Sequence, residues 1–235
     1  MGEVKLYAFS ISPFTRKVVI ALKLKGIQCE YFEEDLNNKS PDLLRYNPVF
    51  KATPVLVHNG RPVCESLLII EYLDETWKDS HPLMPQDPYE RAMARFWAKF
   101  IDDKLVPSIK VAILRECEPH EYEIKMEEAF ENLKILEKVL EGKKYFGGDK
   151  IGYLDIAAIY IIGWVPHMAA AAKREVFTRE LFPHFSVWID LMLSHSVIKD
   201  NLPASGPLLA YYEWRLERNA AVLEGRTPPP PPPAT

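Results

Sequence analysis

Val4-Lys5-Leu6-Tyr7-Ala8-Phe9, Ser10-Ile11-Ser12-Pro13 and Phe14-Thr15-Arg16-Lys17-Val18-Val19-Ile20-Ala21-Leu22-Lys23-Leu24-Lys25-Gly26 decide the fold class. The first six residues are rich in strand formers and predict a short β-strand. The polar break after them supplies Ser12 as a natural N-cap with Pro13 at the first helical position. Apolar residues then recur at helical spacing up to Lys25, and Gly26 is a natural helix stop. Cys29 to Glu33 reads as a second strand, which makes a βαβ unit with parallel strands and a right-handed crossover. Working outward, Asn38 to Tyr46 predicts a short helix that ends before Asn47-Pro48. Thr53 to Val57 predicts a strand entered through Pro54. His58-Asn59-Gly60-Arg61 carries the Asn-Gly hairpin signal, with Pro62-Val63-Cys64 as the returning edge strand. Glu65-Ser66 opens a helix to about Trp77. The order β-α-β, α, β-β-α is thioredoxin-like and takes about 77 residues.

Beyond Trp77 the character changes. Residues 78–88 are rich in proline and polar residues and read as a linker. Everything after it is helical: one long helix from Tyr89 to about Glu116 with a kink expected at Pro107, and a second from Tyr122 to Leu140 with Ile124, Phe130, Leu133, Leu136 and Val139 on one stripe. Asp155 to Ala172 is nearly all apolar and predicts a helix buried on most sides. Phe185 to Leu193 and Leu208 to Leu223 complete the set. The chain therefore divides into an α/β domain over 1–77, the linker, an all-α domain over 89–224 and a tail over 225–235. That tail holds six consecutive prolines at 228–233, a polyproline II composition with no core to join, expected as a solvated and disordered end or an SH3-type ligand.

The chain has 235 residues, 48% hydrophobic and 26% charged, with a net charge of −4. It can bury a core and remain soluble, and it lacks the broad positive field that nucleic acid needs. No apolar run reaches the roughly 20 residues of a membrane span, and the N-terminus lacks a signal-peptide pattern. Cys29, Cys64 and Cys117 form no CxxC pair, and the six histidines show no metal-ligand spacing. No glycine-rich phosphate loop is present. The expectation is a cytoplasmic protein with no metal, no nucleic-acid partner and no membrane partner.

Three places can carry chemistry. Ser12 is first of all a helix cap. The same hydroxyl beside free helix N–H groups also suits an anion, and a hydrogen bond donated to a thiolate lowers that thiol's pKa. Thr53-Pro54 is either an ordinary strand entry or a cis bond that presents the backbone of residue 53. Glu65-Ser66 is a common helix start and also a clamp for an amino-acid head group, Ser66 and the helix terminus facing the carboxylate and Glu65 the ammonium. Lys39 and Lys51, solvated charges singly, can hold a second carboxylate beside that clamp.

With these residues in place, the chain resembles the plant tau-class glutathione S-transferases. The resemblance rests on Ser12-Pro13-Phe14-Thr15-Arg16-Lys17-Val18, Asn38-Lys39-Ser40-Pro41, Asn47-Pro48-Val49-Phe50-Lys51, Pro54 to Gly60 and Cys64-Glu65-Ser66. It continues through Asp87-Pro88-Tyr89-Glu90-Arg91-Ala92, Arg95-Phe96-Trp97-Ala98 and Tyr145-Phe146-Gly147-Gly148-Asp149. It spans roughly residues 4–220 and leaves out the tail. It implies a thioredoxin-like glutathione domain followed by a helical domain, working as a homodimer in detoxification or stress response, with glutathione as co-substrate and no tightly bound cofactor. It implies that Ser12 hydrogen-bonds the glutathione sulfur and that Lys39 and Lys51 lie near the glycyl carboxylate. The Thr53 main chain, before a cis Pro54, would pair with the cysteinyl backbone, and Glu65 and Ser66 would hold the γ-glutamyl end. A serine at the active position favours conjugation of an apolar electrophile over thiol transfer.

The chain also departs from the family pattern. Ala52 stands where a second lysine is common, Val106 where a tyrosine usually faces the electrophile, Pro107 follows it, and Lys110 replaces arginine. The expected second-substrate pocket is lined by Phe9, Phe14, Val106, Lys110, Leu114, Trp164 and Tyr211, with core packing as the alternative for Trp164. Two other activities fit the same residues: glutathione-dependent reduction of hydroperoxides, and carriage of apolar or flavonoid-like ligands with little turnover.

Overall fold

The computed structural model describes residues 2–174, 176, 178–230 and 232. Strand β1 (Val4–Ala8) leads to helix α1 (Pro13–Leu24) and strand β2 (Glu30–Glu33), then α2 (Pro41–Tyr46), β3 (Val55–His58), β4 (Arg61–Cys64) and α3 (Ser66–Thr76). The strands form one sheet in the order β2-β1-β3-β4, with β1 and β2 parallel and the other pairs antiparallel. The two-residue period of β1 sorts its side chains by face. Leu6 and Ala8 pack with Val18, Ile20 and Leu22 of α1 and Ile69, Ile70 and Leu73 of α3. Tyr7 faces the other way and joins Leu43 of α2, Val55 and Val57. The helix expected from Asn38 starts at Pro41, because Ser40 caps it by accepting from the Leu43 N–H at 3.0 Å.

The segment expected as a linker carries no helix or strand up to Asp87, yet it is tied down. The buried Lys25 ammonium reaches Asp74 at 2.8 Å and the His81 carbonyl at 3.0 Å. The Asp74 carboxylate in turn accepts from the N–H groups of Leu83 and Met84.

Helix α4 (Pro88–Phe100) is capped by Asp87, and α5 (Val106–Leu114) ends at Arg115, which takes the left-handed conformation at φ 54°. Between them Ile101–Leu105 is a π-helical turn closed by a hydrogen bond from the Val106 N–H to the Ile101 carbonyl. The kink expected at Pro107 is thus a widened turn just before it. Proline lacks the N–H that the α-helical ladder would need at that position, and one wide turn absorbs the loss. Helix α6 (Tyr122–Val139) buries Ala129, Leu133 and Leu136, but Ile124 is 64% exposed and lies off the expected stripe.

The apolar segment expected as one helix over 155–172 is instead three short ones, α7 (Tyr153–Ala157), α8 (Ile159–Gly163) and α9 (Val165–Ala171). Trp164 leaves helical geometry at φ −121°, ahead of Pro166, which cannot donate back to the preceding turn. Asp155 anchors the bundle: its buried carboxylate accepts from the N–H groups of Phe146, Gly147 and Gly152 and from the Trp188 indole. Burial pushes its pKa up, and these four donors oppose the rise. Helices α10 (Pro183–Ser194), α11 (Ser196–Lys199) and α12 (Ser205–Leu223) close the domain. The short α11 was not expected from the sequence. The tail, expected as free, is exposed at Thr227, Pro228 and Pro230 but meets α12 at Trp214. Of that tail, Pro231, Pro233, Ala234 and Thr235 lie outside the described residues.

Candidate functional site

Strand register brings the predicted site together. Tyr7 pairs with Val55, and Val55 pairs with Cys64, so one row crosses β1, β3 and β4. The chain therefore leaves β1 toward Ser12, enters β3 through Thr53-Pro54 and leaves β4 toward Glu65-Ser66, all at one end of the sheet. Because β2 is parallel to β1, with Ala8 opposite Glu33, the segment carrying Lys39 emerges at that end as well. The Thr53-Pro54 bond is cis.

Two helices begin at this end, α1 after Ser12 and α3 after Glu65. Each contributes N–H groups without intrahelical partners and the positive end of its dipole, so two anion-favouring points share one end of the sheet. The Ser12 Oγ accepts from the Thr15 N–H at 3.5 Å, at the limit of a hydrogen bond. The Ser40 and Asp87 caps bond at 3.0 and 2.9 Å. Ser12 is thus the least committed of the three caps, and its hydroxyl proton remains available to an anion. Ser66 is buried in the first turn of α3. Glu65 is exposed and sits at φ 69°, a left-handed value that a glutamate adopts at a cost of about 1–3 kcal/mol.

The loop before Ser12 is held from four directions. The Phe9 N–H donates to the Thr15 hydroxyl at 3.3 Å and the Ser10 N–H to Glu33 at 2.8 Å. The Ser10 carbonyl accepts from Arg16 at 2.7 Å, and the Ile11 carbonyl accepts from the Trp164 indole at 3.1 Å. The loop carrying Lys51 is organised by the buried Asn47, whose side chain accepts from the Phe50 N–H and donates to the Ala52 carbonyl. Buried Glu34 accepts from both the N–H and the hydroxyl of Ser40, next to Lys39. The sequence reading gives no site role to Asn47, Glu34, Arg16 or Glu33; Asn47 figures there as a helix stop and, like Arg16, within the motifs that carry the resemblance.

One further contact joins the halves behind Ser12. Lys17 of α1, with 1% of its side chain exposed, reaches Asp102 in the π-helical turn at 2.6 Å. Burial holds its ammonium below the usual 10.5, while Asp102 opposes that effect. The widened turn thus supplies the partner of a charge buried under the site helix.

Other nucleophiles and donors near the site are poorly placed. Tyr7 points its hydroxyl toward Asp42, and burial raises its pKa. All three cysteine thiols are pushed up, first by burial, so none is a ready thiolate. Among the described residues no group of three His, Cys, Asp or Glu side chains is placed to hold a metal, and no helix is long and apolar enough to cross a membrane.

The expected second-substrate residues separate into two groups. Phe14 is exposed, and Phe9, Lys110 and Tyr211 are half-buried. Leu114 is fully buried and Trp164 is 1% exposed, so both pack in the core and neither presents a free wall. Trp164 stacks on Tyr160 with ring centroids 5.9 Å apart and acts on the site through its bond to Ile11. Val106 is also buried, at 9% exposure.

Known proteins match both domains of this fold. The glutathione S-transferase N-terminal domain model matches residues 6–81, and the C-terminal domain model matches residues 92–195. A probable glutathione S-transferase of Glycine max is 47% identical over 93% of this chain and 96% of its own length. Glutathione S-transferase U8 of Arabidopsis thaliana is 48% identical over 88% of this chain and 92% of its own. The crystal structure of a tau-class transferase from mango superposes with a TM-score of 0.83 at 36% identity, covering 94% of this chain and 98% of that one. A rice glutathione transferase solved in complex with glutathione superposes at 0.82, with 31% identity over 96% of this chain and 98% of that one. With both domains matched and relatives of this class similar over most of its length, the chain belongs to the plant tau-class glutathione S-transferases.

Proposed function

We propose that glutathione lies across the sheet end with its sulfur at Ser12, and that its thiolate attacks an electrophilic carbon of an apolar co-substrate. The Ser12 hydroxyl donates to the sulfur, and the α1 N-terminus adds a positive field, so the thiol gives up its proton near neutral pH. The new C–S bond forms as the leaving group departs with its electron pair. Glu65, Ser66 and the α3 N-terminus hold the γ-glutamyl end. The Thr53 backbone pairs with the cysteinyl unit, and Lys39 and Lys51 face the glycyl carboxylate. Holding both reactants in one cleft supplies the proximity contribution. The observation that carries this reading is that two helix N-termini open at one end of the sheet, one of them at a loosely engaged serine hydroxyl.

The accompanying setting is a cytoplasmic homodimer in detoxification or stress response. Val49 and Phe50, 78% and 65% exposed, and Tyr89 and Phe96, 69% and 56% exposed, offer apolar surface for the second copy. A solution mass twice that of one chain tests the dimer.

The activity test is conjugation of a generic aryl halide by wild type and Ser12→Ala, with glutathione affinity measured by calorimetry. Removing one preorganised donor is expected to cost about 100-fold or more in kcat, with a much smaller loss of affinity. Equal turnover removes Ser12 from the mechanism. Undetectable wild-type turnover with retained glutathione and dye binding favours a ligand carrier.

A further inference from the structure

The proline tail is neither absorbed by the glutathione cleft nor free of the fold. Helix α12 ends in a reversal at Gly225, φ 68°, where the Gly225 N–H bonds the Val222 carbonyl and the Arg226 N–H bonds the Ala221 carbonyl. That motif turns the chain back along the helix it has just left. Arg226 then pairs with Glu217 at 3.3 Å and Glu224 at 2.6 Å, and the Trp214 indole N–H donates to the Pro229 carbonyl at 3.0 Å. The lengths agree. Four steps from Gly225 to Pro229 in an extended proline helix cover about 12 Å. The nine steps from Trp214 to Leu223 rise about 13.5 Å along α12.

The pattern of contact also has the right period. Pro229 and Pro232 are half-buried, whereas Pro228 and Pro230 are exposed, and Arg226 is the ion-paired residue three positions earlier. Arg226 and Pro229, each bonded to α12, and the half-buried Pro232 stand three residues apart, the period of one edge of a polyproline II helix. On the α12 side, Glu217, Trp214 and Tyr211 are one turn apart and share a face. The Tyr211 and Trp214 rings lie 5.7 Å apart, tilted by 40°.

We propose that this aromatic face of α12 is a binding site for a polyproline II helix, and that its resident ligand is the chain's own C-terminal proline segment. The chemistry matches on both sides. A polyproline helix has no internal hydrogen bonds, so its carbonyls need outside donors, and its stiffness lowers the entropy lost on docking. An indole offers both an apolar ring for the pyrrolidines and one N–H for a carbonyl. The Arg226 pairs are exposed, so they orient the strap and add little strength.

Indole proton spectra of the full chain test the proposal. The Trp214 signal is assigned through Trp214→Phe. It is then compared with a full-length variant in which residues 228–233 are alternating glycine and serine. The Trp164 and Trp188 indoles, bonded inside the fold to Ile11 and Asp155, serve as internal controls. In the wild type, the Trp214 indole proton is expected to exchange with water several-fold more slowly than in the glycine-serine variant, and its signal is expected to differ between the two. Titrating a hexaproline peptide into the glycine-serine variant should return the signal toward its wild-type position, saturably, with Trp164 and Trp188 unmoved. An identical Trp214 signal and exchange rate in both chains, or no saturable response to the peptide, overturns the proposal.

Discussion

The two sides of the cleft are built by different means. The sheet end relies on backbone: two helix N-termini, a cis Thr53-Pro54 bond and a glutamate at φ 69°, set in one row by the Tyr7–Val55–Cys64 register. The helical side relies on side chains from distant positions, such as Trp164 reaching Ile11 and Asp102 reaching Lys17. Local backbone devices hold a fixed ligand common to a family. Long-range side-chain contacts can be exchanged singly. The difference also predicts where substitutions act: on the sheet side they should trade stability against glutathione binding, and on the helical side they should loosen the join between the domains.

The largest effect on stability is expected at the join. Asp102→Asn strands the buried Lys17 ammonium and should cost about 3–5 kcal/mol in urea unfolding, whereas Lys17→Met combined with Asp102→Leu should recover most of that. The pH dependence carries a sign. Burial lowers the folded Lys17 pKa beneath 10.5, so between the two values the unfolded chain binds more protons and stability rises with pH. Lys17→Met should remove that alkaline rise relative to wild type. An unchanged difference between the two across the alkaline range would sink the claim that this ammonium is buried at a cost.

A smaller effect of opposite sign is expected on the sheet side. Glu65→Gly relieves a left-handed glutamate and should raise stability by about 1 kcal/mol, while weakening glutathione binding about tenfold through loss of the ammonium partner. A variant that loses stability as well would show that Glu65 is structural. The smallest effect belongs to Trp164→Phe. It removes one hydrogen bond to the Ile11 carbonyl, worth about 1 kcal/mol, and should lower turnover several-fold by loosening the loop before Ser12. Full activity would confine Trp164 to packing.

The same contrast explains what the sequence made legible. Ser12-Pro13, Asn59-Gly60 and Gly26 are local signals whose meaning does not depend on distant residues, and the α/β domain follows them closely. Pro107 was visible as a disturbance, but a π-helical turn cannot be told from a kink without the surrounding ladder. The 155–172 segment shows no periodicity up to its break because residues 155–165 are all buried, so nothing marks that break at Trp164. Asp102 acts through Lys17, which sequence spacing does not place beside it, whereas Asn47 and Glu34 bond to near neighbours in the chain whose turns no local signal marks. Trp164 is the instructive case: the sequence allows a pocket or a core reading, and the fold uses it in the core while its indole still touches the loop that presents Ser12.

The central claim is that the Ser12 hydroxyl at the α1 N-terminus stabilises the glutathione thiolate. Ultraviolet absorbance of the bound thiolate, titrated against pH in wild type and Ser12→Ala, tests it most directly. The account predicts a bound thiol pKa well below the free-thiol value of about 8.5 in wild type, and a rise of about one unit or more in Ser12→Ala, worth about 1.4 kcal/mol per unit. The same bound pKa in both proteins would contradict it.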